Sequence, residues 1–297
     1  MSKLYLPDVT LMMVDILCYD MARLSLEDSL RAADYGDVVV FSDQRIPGIS
    51  EEIRWVQVPR WPSSKVFGRW LWSDLADHLK TSHFLLTEWD CWVTNPEMWT
   101  DEFLQYDYIG APWWTPPGNY NVGNGCGLRS RRLMQHLKDH PTEFFLADDQ
   151  EPFQGNDDTT MSIIYRPALE RAGFRWADEQ LASRLAFEYT RPSLTSKHFM
   201  FHDSFNFPQV LEGERLAERI RLMQENTVDA KMPTHLAMLA EQPNGDPTWH
   251  RGGVPVIRPS LAWEERGKPV VIPETKPAAP IRRRQPQRQP SHHDRKA

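Results

Sequence analysis

The sequence predicts an α/β fold built on a single central mixed, mainly parallel sheet flanked by helices. Three observations carry this expectation: short apolar runs that suit strands buried on both faces, stretches with helical spacing between them, and a carboxylate pair where the last of the early runs ends.

The first run, Val9 to Leu17 (VTLMMVDIL), is broken only by Asp15 and reads as the opening strand. Leu24 to Tyr35 carries Leu26, Leu30 and Ala33 at helical spacing, with Gly36 as its stop. Asp37 then leads into VVVF, a second strand ended by Ser42 and Asp43. Strand, helix and strand follow within the length that a right-handed crossover needs. Ile53 to Val58 reads as a third strand, Pro59 to Ser64 as a loop, and Lys65 to Leu79 as an amphipathic helix. That helix delivers the chain to HFLLTEWDCWV, where His83 to Leu86 arrive at Glu88, Trp89 and Asp90. Ligands of open α/β sheets bind beyond the carboxyl ends of the strands. Two carboxylates there stand where a cation or a cation-bound phosphate would be met; the plain alternative is a strand end with two solvated acids.

After Pro96 the pattern is less regular. A short helix is expected around Glu97 to Leu104, and Gly110 to Gly127 is a shaped loop rich in glycine and proline, where Asn124, Gly125 and Gly127 could offer backbone N–H groups to a ligand. Ser130 to Lys138 reads as a helix. Asp157 and Asp158 open another, running from Thr159 to Tyr165, where they suit either a cap or a base. Phe174 to Trp176 reads as a strand and Glu179 to Phe187 as a helix. In His198 to Asp203 (HFMFHD), strand alternation would send His198, Met200 and His202 to one face. Glu212 to Glu225 is a charged amphipathic helix expected on the outside.

The 297 residues, 40% hydrophobic and 11% aromatic, are enough for one large domain with an appendage. We expect a catalytic domain over 1–228, an extension packing on or near it over 229–263, and a disordered, basic, Pro/Arg-rich tail over 264–297. A net charge of -7 excludes a surface built as a whole for nucleic acid, while the tail leaves room for a local basic element. Cys18, Cys91 and Cys126 have no paired spacing, so neither a disulfide framework nor a cysteine zinc site is indicated. The opening residues lack the apolar stretch of an export signal, and the expectation is a cytoplasmic protein without a transmembrane segment. No dinucleotide fingerprint or phosphate-loop consensus occurs.

TEWDCWVTNPEMW, YDYIGAPW and VGNGCGLRSRRLM, in that order and followed by NDD and a late FHD, resemble a bacterial and viral family of uncharacterised domains regarded as glycosyltransferases of the GT-A type. The resemblance covers roughly Thr10 to Phe207. It implies a GT-A-like fold and a nucleoside diphosphate sugar as donor substrate. It further implies Mn²⁺ or Mg²⁺ on Asp90, Glu88 and His202, and a catalytic pair in which Asp158 is the base and Asp157 its neighbour. The donor set is expected to comprise Glu88, Trp89, Asp90, Asn124, Gly125 and Gly127. Position alone adds Asp43 at the end of the second strand, where a plain turn aspartate also fits, and Lys65 after the Pro59 to Ser64 loop, where a surface charge also fits. Where the family carries a glutamine and a glycine around its aspartate, this chain carries Glu88 and Cys91. Where the family has a double glycine and an aromatic, this chain reads Gly125, Cys126 and Gly127. The reaction so implied is inverting, metal-dependent sugar transfer to a hydroxyl acceptor, either a glycan or a modified base of DNA reached through the basic tail. Two other classes fit the same residues: a metal-dependent hydrolase of nucleotide sugars or phosphodiesters, and a non-catalytic glycan or nucleotide binding module with Tyr106, Trp113 and Trp114 as stacking platforms.

Overall fold

A computed structural model describes residues 3–112, 122–123, 126–144, 157–188, 197–240, 249–251 and 254–256. The expected roles of Trp113, Trp114, Asn124, Gly125 and the basic tail therefore lie outside the described residues. The described residues all belong to one compact unit, Met1 to Gly267.

This unit is the expected mainly parallel α/β body. Strand β1 (Leu4–Val14) is followed by α1 (Tyr19–Ala32), β2 (Ala33–Ser42), β3 (Arg54–Gln57), α2 (Ser64–Ser73), α3 (Leu75–His78) and β4 (His83–Thr87). Two 3₁₀ turns, Pro96–Met98 and Asp101–Gln105, lead to β5 (Tyr108–Gly110), β6 (Gly127–Ser130) and α4 (Arg131–Asp139). Then come α5 (Asp157–Thr159), a π-helical stretch Thr160–Tyr165, α6 (Arg166–Arg171), α7 (Glu179–Leu185), β7 (Ala186–Phe187) and β8 (Met200–Phe201). A 3₁₀ turn, Ser204–Asn206, precedes α8 (Phe207–Val210), α9 (Gly213–Glu225) and α10 (Met232–Ala240), and β9 (Trp249–Arg251) pairs antiparallel with β10 (Val254–Val256).

The central sheet runs β3-β2-β1-β4-β6-β5, with β6 antiparallel to both of its neighbours and the other pairings parallel. Alternation along the strands divides the core. Leu11, Met13 and Leu85 face the layer containing α1, α7 and α9, whereas Met12, Val14, Phe84 and Leu86 face α2, α3 and α4. Each such fully buried side chain contributes about 1.5–3 kcal/mol. Because both faces are covered, β4 is buried throughout and its first solvent-reaching positions come after Thr87.

Several boundaries differ from the sequence expectation. The first helix ends at Ala32 and β2 begins at once, so Gly36 lies inside a strand. The Pro7 carbonyl comes so close that a Cβ at Gly36 would sit 1.9 Å from its oxygen, which explains a glycine there better than a helix stop does. Lys65 to Leu79 breaks at Asp74 into two helices. The expected helix at Glu97 to Leu104 is a pair of 3₁₀ turns. Phe174 to Trp176 contributes only a bridge from Trp176 to Tyr108. The strand expected over the HFMFHD stretch shrinks to Met200–Phe201, and His198 turns away to Ser183 O at 2.5 Å. The three cysteines are free and buried.

Helix α9, expected to be merely external, is anchored by a buried charge. Arg219, 3% exposed, donates to Asp28 Oδ2 at 2.9 Å, to Met21 O at 2.9 Å and to Ser25 Oγ at 3.0 Å. Its guanidinium lies 4.4 Å from the centre of the Trp92 ring. Asp28→Asn leaves that guanidinium buried without its counter-charge and should lower unfolding stability by roughly 3–5 kcal/mol in urea titration; a loss below about 1 kcal/mol would place the anchor elsewhere.

Candidate functional site

The site forms where β4 ends. Two hydroxyls of α1 hold the turn that follows: Ser25 Oγ donates to Trp89 O at 2.7 Å, and Ser29 Oγ accepts from Val93 N at 3.2 Å. The turn also closes on itself, since Glu88 N donates to Cys91 Sγ at 3.0 Å and Cys91 N donates to Glu88 O at 3.3 Å. Cys91 thus has a specific task at the place where the resemblance called for a glycine. Thr94 N donates to Phe199 O at 2.9 Å, and Val93 bridges Met200, which sets this turn beside β8. His202 follows β8 and is fixed through its own N–H to Phe187 O at 3.0 Å and its carbonyl to Asn206 Nδ2 at 2.6 Å.

Glu88, Asp90 and His202, expected as the metal ligands, are brought together: one candidate ligand atom from each lies within 4.8 Å of the others. His202 Nε2 stands 3.7 Å from Asp90 Oδ1, and on its other side Nδ1 is 3.3 Å from Glu188 Oε2. Glu188 is buried and was missed by sequence reasoning; a glutamate after a short strand carries no motif, and only the fold places it behind the imidazole. Asp15 was also missed as a member of this neighbourhood. At the end of β1 its Oδ1 accepts from Leu17 N at 2.8 Å and Cys18 N at 2.5 Å.

Crowding acids out of water has a cost in charge. Desolvation, with Asp90 adding, pushes Glu88 up to about 8. Desolvation pushes Asp90 up to about 6 against the opposing pull of His202, and Asp15 up to about 7 despite its backbone hydrogen bonds. Burial alone would lower His202, yet Glu188 and Asp90 carry it well above the usual imidazole range. The centre is therefore a place where positive charge is strongly favoured.

The donor set fits a divalent cation. Asp90 Oδ1 is buried without a hydrogen-bond partner, and two carboxylates with one imidazole are the oxygen-rich ligands that Mn²⁺ or Mg²⁺ accepts. Glu188, 3.3 Å from His202 Nδ1, stands where the outer partner of a ligating imidazole would stand.

Gly127 is paired with Leu86, so the glycine segment starts at the same edge of the sheet. It is held there by backbone packed on backbone: a Cβ at Gly123 would lie 2.5 Å from Ala111 N, and one at Gly110 would lie 2.4 Å from Gly123 N. Asp157 reaches Arg129, with Oδ2 2.8 Å from Nη1, in a fully buried ion pair. Arg129 is thus committed to Asp157. Asp158 is buried; its Oδ1 accepts from Thr159 N at 2.6 Å and its Oδ2 has no hydrogen-bond partner. Burial, with Asp157 beside it, raises Asp158 well above the carboxylate range. Charge links the groups: Asp157 acts on Glu88, and Glu188 acts on both Asp158 and His202.

Asp43, after β2, accepts from Tyr19 Oη and sits 3.3 Å from Arg60 Nε. Lys65 lies in the first turn of α2, already in contact with a neighbour. Arg131 and Arg132 line a groove of about 450 Å³ with Ser82, His83, Asp107 and Tyr106, the last expected as a stacking platform, while Glu88, Asp90, Asp157, Asp158 and His202 are not among its lining. Arg132 there is bound to Asp107 and to Gly173 O. Among the described residues, no helix is long and apolar enough to cross a membrane.

Residues 54–199 match a family described as "Protein of unknown function (DUF5672)". That span includes Glu88, Asp90, Asp157, Asp158 and Glu188 and stops before His202. No curated protein matches significantly. Among solved structures, the chain is similar to a glycosyltransferase involved in the glycosylation of the major capsid of PBCV-1, at 14% identity over 73% of this chain and 98% of that one, with a TM-score of 0.41. It is also similar to the apo-form glycosyltransferase GlyE of Streptococcus pneumoniae TIGR4, at 13% identity over 80% of this chain and 62% of that one, with a TM-score of 0.40. Likenesses of this order carry no residue roles over to this chain.

Two measurements follow from the geometry. Glu188→Gln should weaken Mn²⁺ binding by about 10–100-fold in calorimetry, the usual effect of losing an outer partner; unchanged affinity would detach Glu188 from the centre. Because ligands must shed protons to bind a cation and Glu88 holds its proton up to about 8, Mn²⁺ affinity should fall as pH drops from 8 to 6. The expected slope is about tenfold per pH unit for each proton displaced, and a flat profile would show that these acids are not the ligands.

Proposed function

We propose that this chain is a glycosyltransferase that moves a sugar from a nucleoside diphosphate sugar to a hydroxyl acceptor, with inversion. The observation that supports this best is the buried, unpartnered Asp90 Oδ1 facing His202 beside Glu88 at the carboxyl end of β4. A bound Mn²⁺ or Mg²⁺ would supply Lewis-acid stabilisation of the departing diphosphate. Glu88, Asp90 and His202 would hold that ion, with Glu188 keeping the imidazole turned toward it. Gly127 and the segment before it would wall the sugar, while Asp43 and Lys65 would serve the nucleotide side of the donor.

Asp158 is the proposed base. Its unpartnered Oδ2 would accept the proton of the attacking hydroxyl, and burial with Asp157 beside it raises its affinity for that proton. Asp157, committed to Arg129, would hold the start of α5 in place and keep a negative charge beside the base. The proposed acceptor is a glycan hydroxyl; a hydroxylated DNA base, approached through the basic tail, is the narrower version of the same chemistry. The proposed compartment is the cytoplasm.

Donor turnover in Mn²⁺, measured as nucleoside diphosphate release with and without acceptor, tests this. Asp158→Asn should lose about 10²–10⁴-fold in turnover while keeping donor affinity, and Asp90→Asn should lose both turnover and metal-dependent donor affinity. Release that is independent of acceptor would instead identify a hydrolase.

A further inference from the structure

The extension after α9 does more than cover the domain. Helix α10 packs against the Ser204–Asn206 turn and places His235 beside Trp89 and Asp203. The His235 ring meets Trp89, the residue between Glu88 and Asp90, edge to face at 5.3 Å between centroids. Its Nδ1 is 3.6 Å from Asp203 Oδ1 and 3.4 Å from Ser204 Oγ, and Asp203 is the residue after His202. One imidazole therefore touches both the Trp89 ring and the neighbour of the histidine ligand.

The backbone at that point is unusual. Asp203 adopts φ +75°, the one positive value among the described non-glycine residues, a region sparsely populated by residues with a Cβ. Asn206 N donates to Asp203 O at 3.0 Å and holds the turn. With Nδ1 directed at Asp203 and Ser204, Nε2 is the nitrogen left for a ligand, and the side chain is 20% exposed. His235 and Asp90 also act on each other's charge, Asp90 and Asp203 both favouring the protonated imidazole. A bare packing role for the ring would need neither the acid behind it nor access to solvent.

We propose that His235 is a donor-site residue whose Nε2–H hydrogen-bonds the diphosphate of a nucleoside diphosphate held at Glu88, Asp90 and His202, with Asp203 as the positioning residue behind it. This rests on reading that centre as a diphosphate site. It makes α10, which lies beyond the family match at 54–199, part of the working site.

The test is calorimetric titration of the full chain, first with Mn²⁺ alone and then with UDP, GDP, ADP, CDP and TDP in Mn²⁺, on wild type and on His235→Gln and His235→Asn, either of which suffices if folded by thermal melting. For whichever diphosphate binds, the variants should lose about tenfold or more in affinity, the scale of one hydrogen bond to a charged group. They should lose little for the matching monophosphate and nothing for Mn²⁺ alone. Unchanged diphosphate affinity overturns the inference and leaves the metal centre standing. Equal loss for Mn²⁺ alone also overturns it, because His235 would then act through the structure of the centre. Wild type that binds no diphosphate overturns this inference and the glycosyltransferase reading together.

Discussion

Everything at the functional end of this fold depends on two carboxylates, Asp90 buried and Glu88 half-buried, being crowded together at the end of one buried strand. Isolated carboxylates in such a setting either take up protons or find positive charge. Here Glu88 and Asp90 do both, with raised proton affinities and with His202 set against them. Packed, dry β4 makes the pair rigid, and the α1 hydroxyls and the Cys91 thiol pin the turn that displays it. A centre so arranged is unfavourable as a bare pair of charges and would gain from a cation shared among its carboxylates. That preference is the physical basis for proposing a binding role.

The surrounding fold supplies compensating charge in layers. Glu188 backs His202, Arg129 neutralises Asp157, and Asp158 is left with one unpartnered oxygen close to that ion pair. Separate again, Arg219 joins α9 to α1 through Asp28, and α1 is the helix whose hydroxyls hold the carboxylate turn. A chain of contacts thus runs from a surface helix to the strand end: Arg219 to Ser25, and Ser25 to Trp89. Stability and site geometry share residues, so losses in one will be felt in the other.

The sequence was most readable where burial is total. The runs at Val9, Val38 and His83 are strands, because a sheet covered on both faces demands continuous apolar residues. Glu88 and Asp90 stood out by their place at the end of an apolar run, where solvated acids were the plain alternative, whereas His202 entered only through the family resemblance. Boundaries failed where packing overrode periodicity. Gly36 reads locally as a helix stop, but Pro7, distant in sequence, decides its place in β2. The alternation through His198 and His202 suggested a shared face, yet β8 is too short to impose one, and the two rings go to Ser183 and to Asp90. Glu188, Asp15 and His235 could not be found by motif, because each matters only through a neighbour that tertiary structure provides.

Pulsed EPR of Mn²⁺ added to the full-length protein tests the central claim most directly. The account predicts bound Mn²⁺ with magnetic coupling to one imidazole nitrogen, a coupling that vanishes in His202→Gln while the ion remains weakly held by the carboxylates. Bound Mn²⁺ without nitrogen coupling, or none bound at neutral pH, would contradict it.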